Sequence, residues 1–481
     1  MADQIVLPGS PEWWRDRLFA ELTSRARDVA KMERYYSGDH PLPTPPQRLP
    51  AEAYREAVKA WQSLTEMAVT NWVKLVADAP AARLAVTGFR SGGAQSAEDD
   101  EAWAIWQRNH LDADQALVYD NALQTGNSAA IVWADGDGKA VVTVEHSSQI
   151  IVAYEPGSRR DRAAALKVWA DDSGRLAATL YLPDRLYKWE TASTRPGYGM
   201  AVEGAPSWRV RQPDGEEWPL PNPLGVVPVI EFRANAGMRP APFGGGRSEF
   251  AGVIPIQDRV NKVTFDQLAT MEAQAFRQRW VIGWDPERDP ETGLPDPVKM
   301  QKASQSLLWT FDADPTEVKV GEFGQADFGG FTGAIGDAVE AIAAISQTPP
   351  WALGMGKLAN AKAETIGAAD SLFVAKTRKH RDQFGESWEE VIRLALKIEN
   401  PERPTDESSM VLWRDIEQHT WGEIVDSLVK LKAIDVPREE LWSRVPNATP
   451  QDVARWRAQE AVDGLLTPEP TNTPASVPDA G

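Results

Sequence analysis

The chain has 481 residues, room for about three domains of ~150 residues with sizeable buried cores, so a small scaffold dependent on staples is excluded. Its 51 Lys and Arg against 70 Asp and Glu leave a net charge of −19, which argues against a surface that grips nucleic acid throughout by counterion release. Cysteine is absent, which removes disulfides, thiolate metal sites, iron–sulfur clusters and cysteine nucleophiles together; 20 tryptophans against five histidines favour packing and interfaces over acid–base chemistry.

Residues 1–10 lack the basic and apolar regions of a signal peptide, and no stretch approaches ~18 uninterrupted apolar residues; the expectation is a soluble, unexported chain. Helical spacing joins Trp14, Leu18 and Leu22, then Ala30, Met32 and Tyr35, until Gly38 ends the run. Residues 41–50 form a proline-rich linker. Across 51–79, Val58, Trp61, Leu64, Ala68, Trp72, Leu75 and Val76 recur at steps of three and four, which predicts one long amphipathic helix stopped at Pro80. Alternation predicts a strand over 83–89, and 101–107 and 112–124 read as helices before Gly126.

From Ala129 the period changes to two, and strands are expected over 129–133, 140–144, 150–154, 166–170, 175–182 and 185–189. The Asp135-Gly136-Asp137-Gly138 and Asp172-Ser173-Gly174 segments are hairpin connectors, and the prolines of 219–228 interrupt the pattern. After Gly244-Gly245-Gly246, residues 255–278 read as a helix about 36 Å long, with Ile256, Val260, Val263, Leu268, Met271 and Ala275 on its buried stripe. A small β element follows, with strands over 280–284, 307–311 and 317–320. The glycine-rich 328–333 leads into a small-residue helix over 334–346, then a loop over 347–361. Helices are expected over 364–399, 413–431, 438–442 and 449–462, and the tail after Leu466 has the composition of disorder. The fold class is α+β.

Chemical motifs fail on inspection. Gly356-Lys357 lacks the earlier glycine and the following hydroxyl of a phosphate loop, since Trp351 and Leu358 stand there. Asp135 and Asp137 lack the remaining ligands of a calcium loop, and Ser128 lacks the second glycine of a nucleophile elbow, Ala130 taking its place. His40, His110, His146, His380 and His419 show no metal-binding spacing; no metal and no cofactor are expected. The basic run Lys376-Thr377-Arg378-Lys379-His380-Arg381 lies mid-helix and reads as a solvated or intersubunit face, with phosphate contact as the alternative.

Several local signatures stand out: Tyr35-Tyr36-Ser37-Gly38-Asp39-His40-Pro41-Leu42; Asn71-Trp72-Val73 with 82–89; Ile256-Gln257-Asp258-Arg259-Val260-Asn261-Lys262; Gln278-Arg279-Trp280-Val281-Ile282-Gly283; and Gln347-Thr348-Pro349-Pro350-Trp351-Ala352-Leu353-Gly354. With the order of elements, these make nearly the whole chain resemble the portal proteins of tailed bacteriophages, in particular the siphophage type found among phages of actinobacteria.

The resemblance implies a non-enzymatic, dodecameric ring at one capsid vertex of the virion, assembled in the host bacterial cytoplasm, through which double-stranded DNA passes in packaging and ejection. It implies as partners the terminase large subunit, the head–tail adaptor, and the major capsid and scaffold proteins, with no membrane. By position, 1–247 would be the wing, 248–279 and 333–346 the stem helices, 280–332 the clip, 347–362 the tunnel loop, 363–400 a long wing helix, 401–466 the crown and 467–481 a disordered tail. Trp351, Met355, Lys357, Asn360 and Lys362 would belong to the tunnel loop, with Gly354 and Gly356 supplying backbone freedom. Asp337 and Glu340 would line the stem channel; Ile256, Val260, Val263, Leu268 and Met271 would pack between subunits; Trp284, Asp285 and Asp289 would meet a partner at the clip. Two other readings stay open at this point, a metal-dependent nuclease of phage DNA metabolism and another minor virion or scaffold protein.

Overall fold

Ser10 begins the first helix, its hydroxyl accepting from the Trp13 amide while Pro11 occupies the first turn, where a missing N–H costs little. Helix α1 (Pro11–Ser37) ends at Gly38, whose φ of 87° is the left-handed conformation that glycine adopts without strain. The computed structural model describes residues 7–41, 62–92, 99–192, 206–212, 215, 217–237, 243, 245–275, 279–282, 308–311, 319–322, 327–354, 363–417, 421–442, 444–445, 448 and 450–466.

The single helix expected over 51–79 is broken. Residues 62–68 are helical, 69–71 are not, and α2 (Trp72–Ala81) starts afresh with Asn71 as its cap, the Asn71 side chain accepting from the Lys74 amide. Pro80 does not stop α2, because it sits one residue from the end and removes only a terminal hydrogen bond. Strand β1 (Val86–Arg90) is followed by α3 (Asp100–Arg108), capped by Asp99, and α4 (Leu111–Thr125).

The β-rich part is two sheets. Strands β2 (Asn127–Ala134), β3 (Ala140–Glu145) and β10 (Val229–Arg233) form a three-stranded antiparallel sheet in the order β10-β2-β3. Strands β4 (Ile150–Tyr154), β5 (Arg162–Ala170), β6 (Leu176–Tyr181), β7 (Arg185–Thr191), β8 (Trp208–Val210) and β9 (Leu220–Pro221) make the second, with β9 joining β7. The expected hairpin turns are confirmed in detail: the Asp135 carboxylate accepts from the Asp137 and Lys139 amides. Ser128 is structural, its hydroxyl donating to the Val118 carbonyl. Strand β10 lies beyond the proline-rich 219–228 and was not expected; its partner β2 stands about a hundred residues earlier, out of reach of any local pattern.

Helix α5 (Ile254–Ala275) leads to a small sheet of β11 (Arg279–Ile282), β12 (Leu308–Phe311) and β13 (Lys319–Glu322), in which β11 pairs parallel with β12 and antiparallel with β13. The chain returns along α6 (Phe328–Ser346). The glycine-rich 328–333 belongs to this helix, since Asp327 caps it by accepting from the Gly329 amide. Of the described residues, α6 is the one helix with the length and composition to cross a membrane, yet Ala338, Val339, Ile342 and Ala343 are buried in the protein's own core.

Helix α7 (Ala363–Glu399) runs through the middle of the largest core. The helix expected over 413–431 is corrected: β14 (Met410–Trp413) pairs antiparallel with β1, and α8 (Trp421–Ala433) begins only at Trp421. Helices α9 (Arg438–Trp442) and α10 (Pro450–Leu466) complete the described chain. The large core joins Trp106, Tyr119, Phe232, Phe384 and Trp388, and a second core under α1 and β4–β7 holds Leu18, Leu22, Leu166 and Trp189. Trp106 is fully buried and Trp13, Trp14, Trp72 and Trp103 are partly buried, so these described helical tryptophans are used in packing, as their spacing predicts.

Candidate functional site at the root of the helical hairpin

Helices α5 and α6 form an antiparallel hairpin joined at its far end by β11–β13. Its root is deeply buried: Val260, Val339 and Ile342 have almost no exposure and pack with Val73 and Val76 of α2 and with Phe250 and Leu353, and Phe265, farther along α5, is buried as well. On the same helix, beyond Val260, Val263 and Leu268 are half-buried and Met271 is 48% exposed. The hairpin therefore projects from a fixed root.

Polar side chains hold that root. The Gln257 side-chain oxygen accepts from the amides of Trp72 at 2.9 Å and Val73 at 3.3 Å, which satisfies donors that every helix start leaves open. Gln257 Nε2 donates to Asn261 Oδ1 at 2.9 Å and to the Thr70 carbonyl. Buried His40 lies 2.9 Å by Nε2 from the Tyr35 carbonyl, which can only accept, so that nitrogen carries the proton; Nδ1 then accepts from Asn261 Nδ2 at 2.7 Å. Tyr35 stacks on the His40 ring and donates from Oη to Asp258 at 2.8 Å; burial and that carboxylate hold its phenol well above the usual range. Three of the sequence signatures, around 35–42, 71–73 and 256–262, thus meet in one network. Gln257→Ala should leave the Trp72 and Val73 amides unpaired and lower stability by about 1–3 kcal/mol, read as a shifted urea midpoint.

A buried charge cluster ties α7 to the same root. Glu249, five residues before α5, takes Lys376 Nζ at 2.8 Å, His380 Nε2 at 3.0 Å and Asn235 Nδ2 at 2.6 Å. Lys376 also donates at 2.7 Å to the Ser346 carbonyl, at the C-terminal end of α6, where a cation complements the open carbonyls and the helix dipole. Burial pushes the Glu249 carboxyl up, but the His380 hydrogen bond and the Lys376 charge outweigh it and hold it down to about 2. The surface expected for 376–381 is thus corrected for Lys376, Thr377 and His380, which face inward, while Arg378 and Lys379 are exposed. The signal was present: Phe373, Thr377, His380 and Phe384 follow one another at helical steps.

The sequence-predicted site residues fall as follows. Trp351 is half-buried just after α6, beside Arg83, whose guanidinium stands 5.8 Å from its ring and 4.6 Å from that of Phe373, and 2.9 Å from Asp370. Met355, Lys357, Asn360 and Lys362, and also Trp284, Asp285 and Asp289, lie outside the described residues. Asp337 and Glu340 are exposed on α6. Of the five residues assigned to subunit packing, Val260 is covered completely by this chain's own core and Ile256 partly so, because α2 and α6 close over them; Val263, Leu268 and Met271 keep open surface. Among the described residues no group of three or more His, Asp or Glu stands together as a metal site. A cleft of about 760 Å³ between the β4–β5 turn and α7 is lined by the ion-paired side chains Arg162, Glu390 and Arg393.

Sequence comparison aligns residues 15–463 with the profile of a family described as phage portal protein, SPP1 Gp6-like. The portal protein of Mycobacterium phage L5 is 27% identical over 95% of this chain and 92% of its own, and that of Mycobacterium phage D29 is 28% identical over 83% of this chain and 81% of its own. A solved chain from the neck of an empty GTA particle aligns over 86% of this chain and 92% of that one, with 12% identity and a TM-score of 0.45.

Proposed function

The chain belongs to the phage portal protein family of the SPP1 Gp6-like type, and on that premise we propose that its copies form a dodecameric ring at one capsid vertex whose bore passes double-stranded DNA in packaging and ejection. The observation that carries this reading is the hairpin. Its root is locked by Gln257, Asn261 and Glu249, while beyond Asn261 the outgoing helix leaves Val263, Leu268 and Met271 short of cover. A neighbouring copy supplies that cover in a ring. Residues 328–346 contain Asp337 and Glu340 and no lysine or arginine, so a bore lined by their exposed side repels phosphate and lets a polyanion slide.

In this reading 1–247 and 363–400 make the wing, 248–279 and 333–346 the stem, 280–332 the clip, 347–362 the tunnel loop and 401–466 the crown. Trp284, Asp285 and Asp289 at the clip meet the terminase large subunit or the head–tail adaptor. Trp351, Met355 and Asn360 belong to the loop, where Lys357 and Lys362 make brief phosphate contacts; replacing both lysines by glutamate should lower the yield of packaged DNA in a complementation assay, and an unchanged yield counts against their role. The ring itself is tested by Val263→Asp, which places a carboxylate on the packing stripe. Negative-stain images and native mass spectra should show rings for the parent protein and mainly monomers for the variant. Solitary particles without a central hole in the parent sample would overturn the proposal.

A further inference from the structure

Helix α6 is anchored at both ends and weak between them. Its start is held by the Asp327 cap and by the ring contact of Phe328 with Phe331. Its last turns are held by the root, where Ala338, Val339, Ile342, Ala343 and Ser346 are buried. None of residues 328–337 is buried, and Ile335 reaches the root core with only part of its surface covered.

Glycine is, after proline, the least favourable residue in a helix interior, because fixing its backbone costs the most conformational entropy. Helix α6 has glycine at 329, 330, 333 and 336, and the surroundings explain only the first. A Cβ on Gly329 would stand 3.0 Å from Asp327 Oδ1 and crowd the cap, whereas on Gly330, Gly333 or Gly336 it would meet no atom of the described residues within 4 Å. These three glycines therefore do not serve a close approach of α5. Thr332 weakens the same turn, since its hydroxyl donates at 3.3 Å to the Phe328 carbonyl, a local bond that bends helices. The other leg of the hairpin is built differently. The 22 residues of α5 contain no glycine and include the ion pair Lys262–Asp266 at helical spacing, while α6 has no cation to pair with Asp337 or Glu340.

We propose that residues 333–337 of α6 are a hinge, which opens a turn of helix while the root stays closed. Opening one turn lengthens this leg by about 6 Å, as the rise per residue goes from about 1.5 Å to about 3.3 Å. Because α5 keeps its length, the β11–β13 sheet then tilts about the end of α5. What the motion serves rests on the ring reading: the tip of the hairpin follows a docked partner while the root holds still.

Hydrogen exchange read by mass spectrometry on the full-length protein tests the hinge with Gly333→Ala/Gly336→Ala and, in the opposite sense, Ala334→Gly. Each exchange between glycine and alanine should change the opening of this stretch about fivefold. The 330–337 amides should therefore exchange about 25-fold more slowly in the double variant and about fivefold faster in Ala334→Gly, with the 339–346 amides unchanged, and the double variant should package less DNA in a complementation assay. Exchange over 330–337 that is the same in all three proteins overturns the hinge. So does loss of rings in the double variant when the parent forms them, since the glycines would then be seating a neighbouring copy; both results leave the portal ring standing. Slowed exchange with an unchanged packaging yield overturns the role given to the motion. Absence of rings from the parent protein overturns the ring reading, while the exchange rates still decide the hinge.

Discussion

Glu249→Gln is expected to destabilise the chain by about 3–5 kcal/mol, because it leaves the buried Lys376 ammonium without its counter-charge and replaces one of the two oxygens that serve Lys376 and His380 by an amide group that cannot accept. Lys376→Met should be less damaging, since the Glu249 carboxylate keeps His380 and Asn235 as donors. The double variant should be more stable than the sum of the two predicts, as residues of one network are not additive. The pH dependence gives a second readout. With the carboxyl held at about 2 in the folded chain and 4.5 as its ordinary value, the stabilisation is fully present above pH 4.5 and is lost as the pH falls through about 2. The shift corresponds to about 3 kcal/mol. Urea midpoints of parent and Glu249→Gln should therefore differ most near neutrality and converge between pH 4.5 and 2; a constant difference across that window would show that the charge of Glu249 is not what stabilises the root.

The consequence for function lies in what this cluster joins. Lys376 is on the long helix that follows the 355–362 segment, Ser346 ends the hairpin's returning helix just before it, and Glu249 precedes the outgoing helix. Arg83, through Asp370 and the rings of Trp351 and Phe373, reinforces the same place from the β1 side. The start of α5, the end of α6 and the middle of α7 are thus held together by one buried cluster.

Periodicity made much of this legible. The stripes of α1, α5 and α7 and the alternation in β2–β7 place these elements to within a few residues, since each buries one continuous face. Where a distant partner decides, local pattern fails. The break at 69–71 is set by Asn71 and by Gln257, almost two hundred residues later, which together satisfy the first amides of α2. Strand β14 exists because β1 pairs with it across more than three hundred residues; Met410-Val411-Leu412-Trp413 alone could as well begin a helix. The signatures around Tyr35, Asn71 and Gln257 were visible as sequence, but not that they hydrogen-bond to one another. The inward turn of His380 was written in its spacing from Phe373, Thr377 and Phe384, and was masked by the charges between them.

Trp388→Ala is expected to cost about 3–5 kcal/mol, the range for deleting a buried large aromatic side chain. Trp388 is fully buried on α7, with the Trp106 ring 4.8 Å away and the Phe232 ring 4.6 Å away, both edge to face. Its Nε1 donates at 2.9 Å to Tyr119 Oη, which in turn lies 3.3 Å from Gln115 Oε1, the acceptor of the Val86 amide. One indole therefore connects α7 to α3, to α4, to β10 and, through two side chains, to the start of β1. Trp388→Phe keeps most of the packing and loses the hydrogen bond, so its cost should be about 1–3 kcal/mol, clearly below that of alanine; equal losses for the two variants would mean that the polar chain through Tyr119, rather than ring packing, holds the helix. Because α7 also carries Lys376, loosening its middle should weaken the grip on the hairpin root as well. Protection of the α5 and α6 amides in hydrogen exchange should then fall in Trp388→Ala even though that residue does not touch the hairpin.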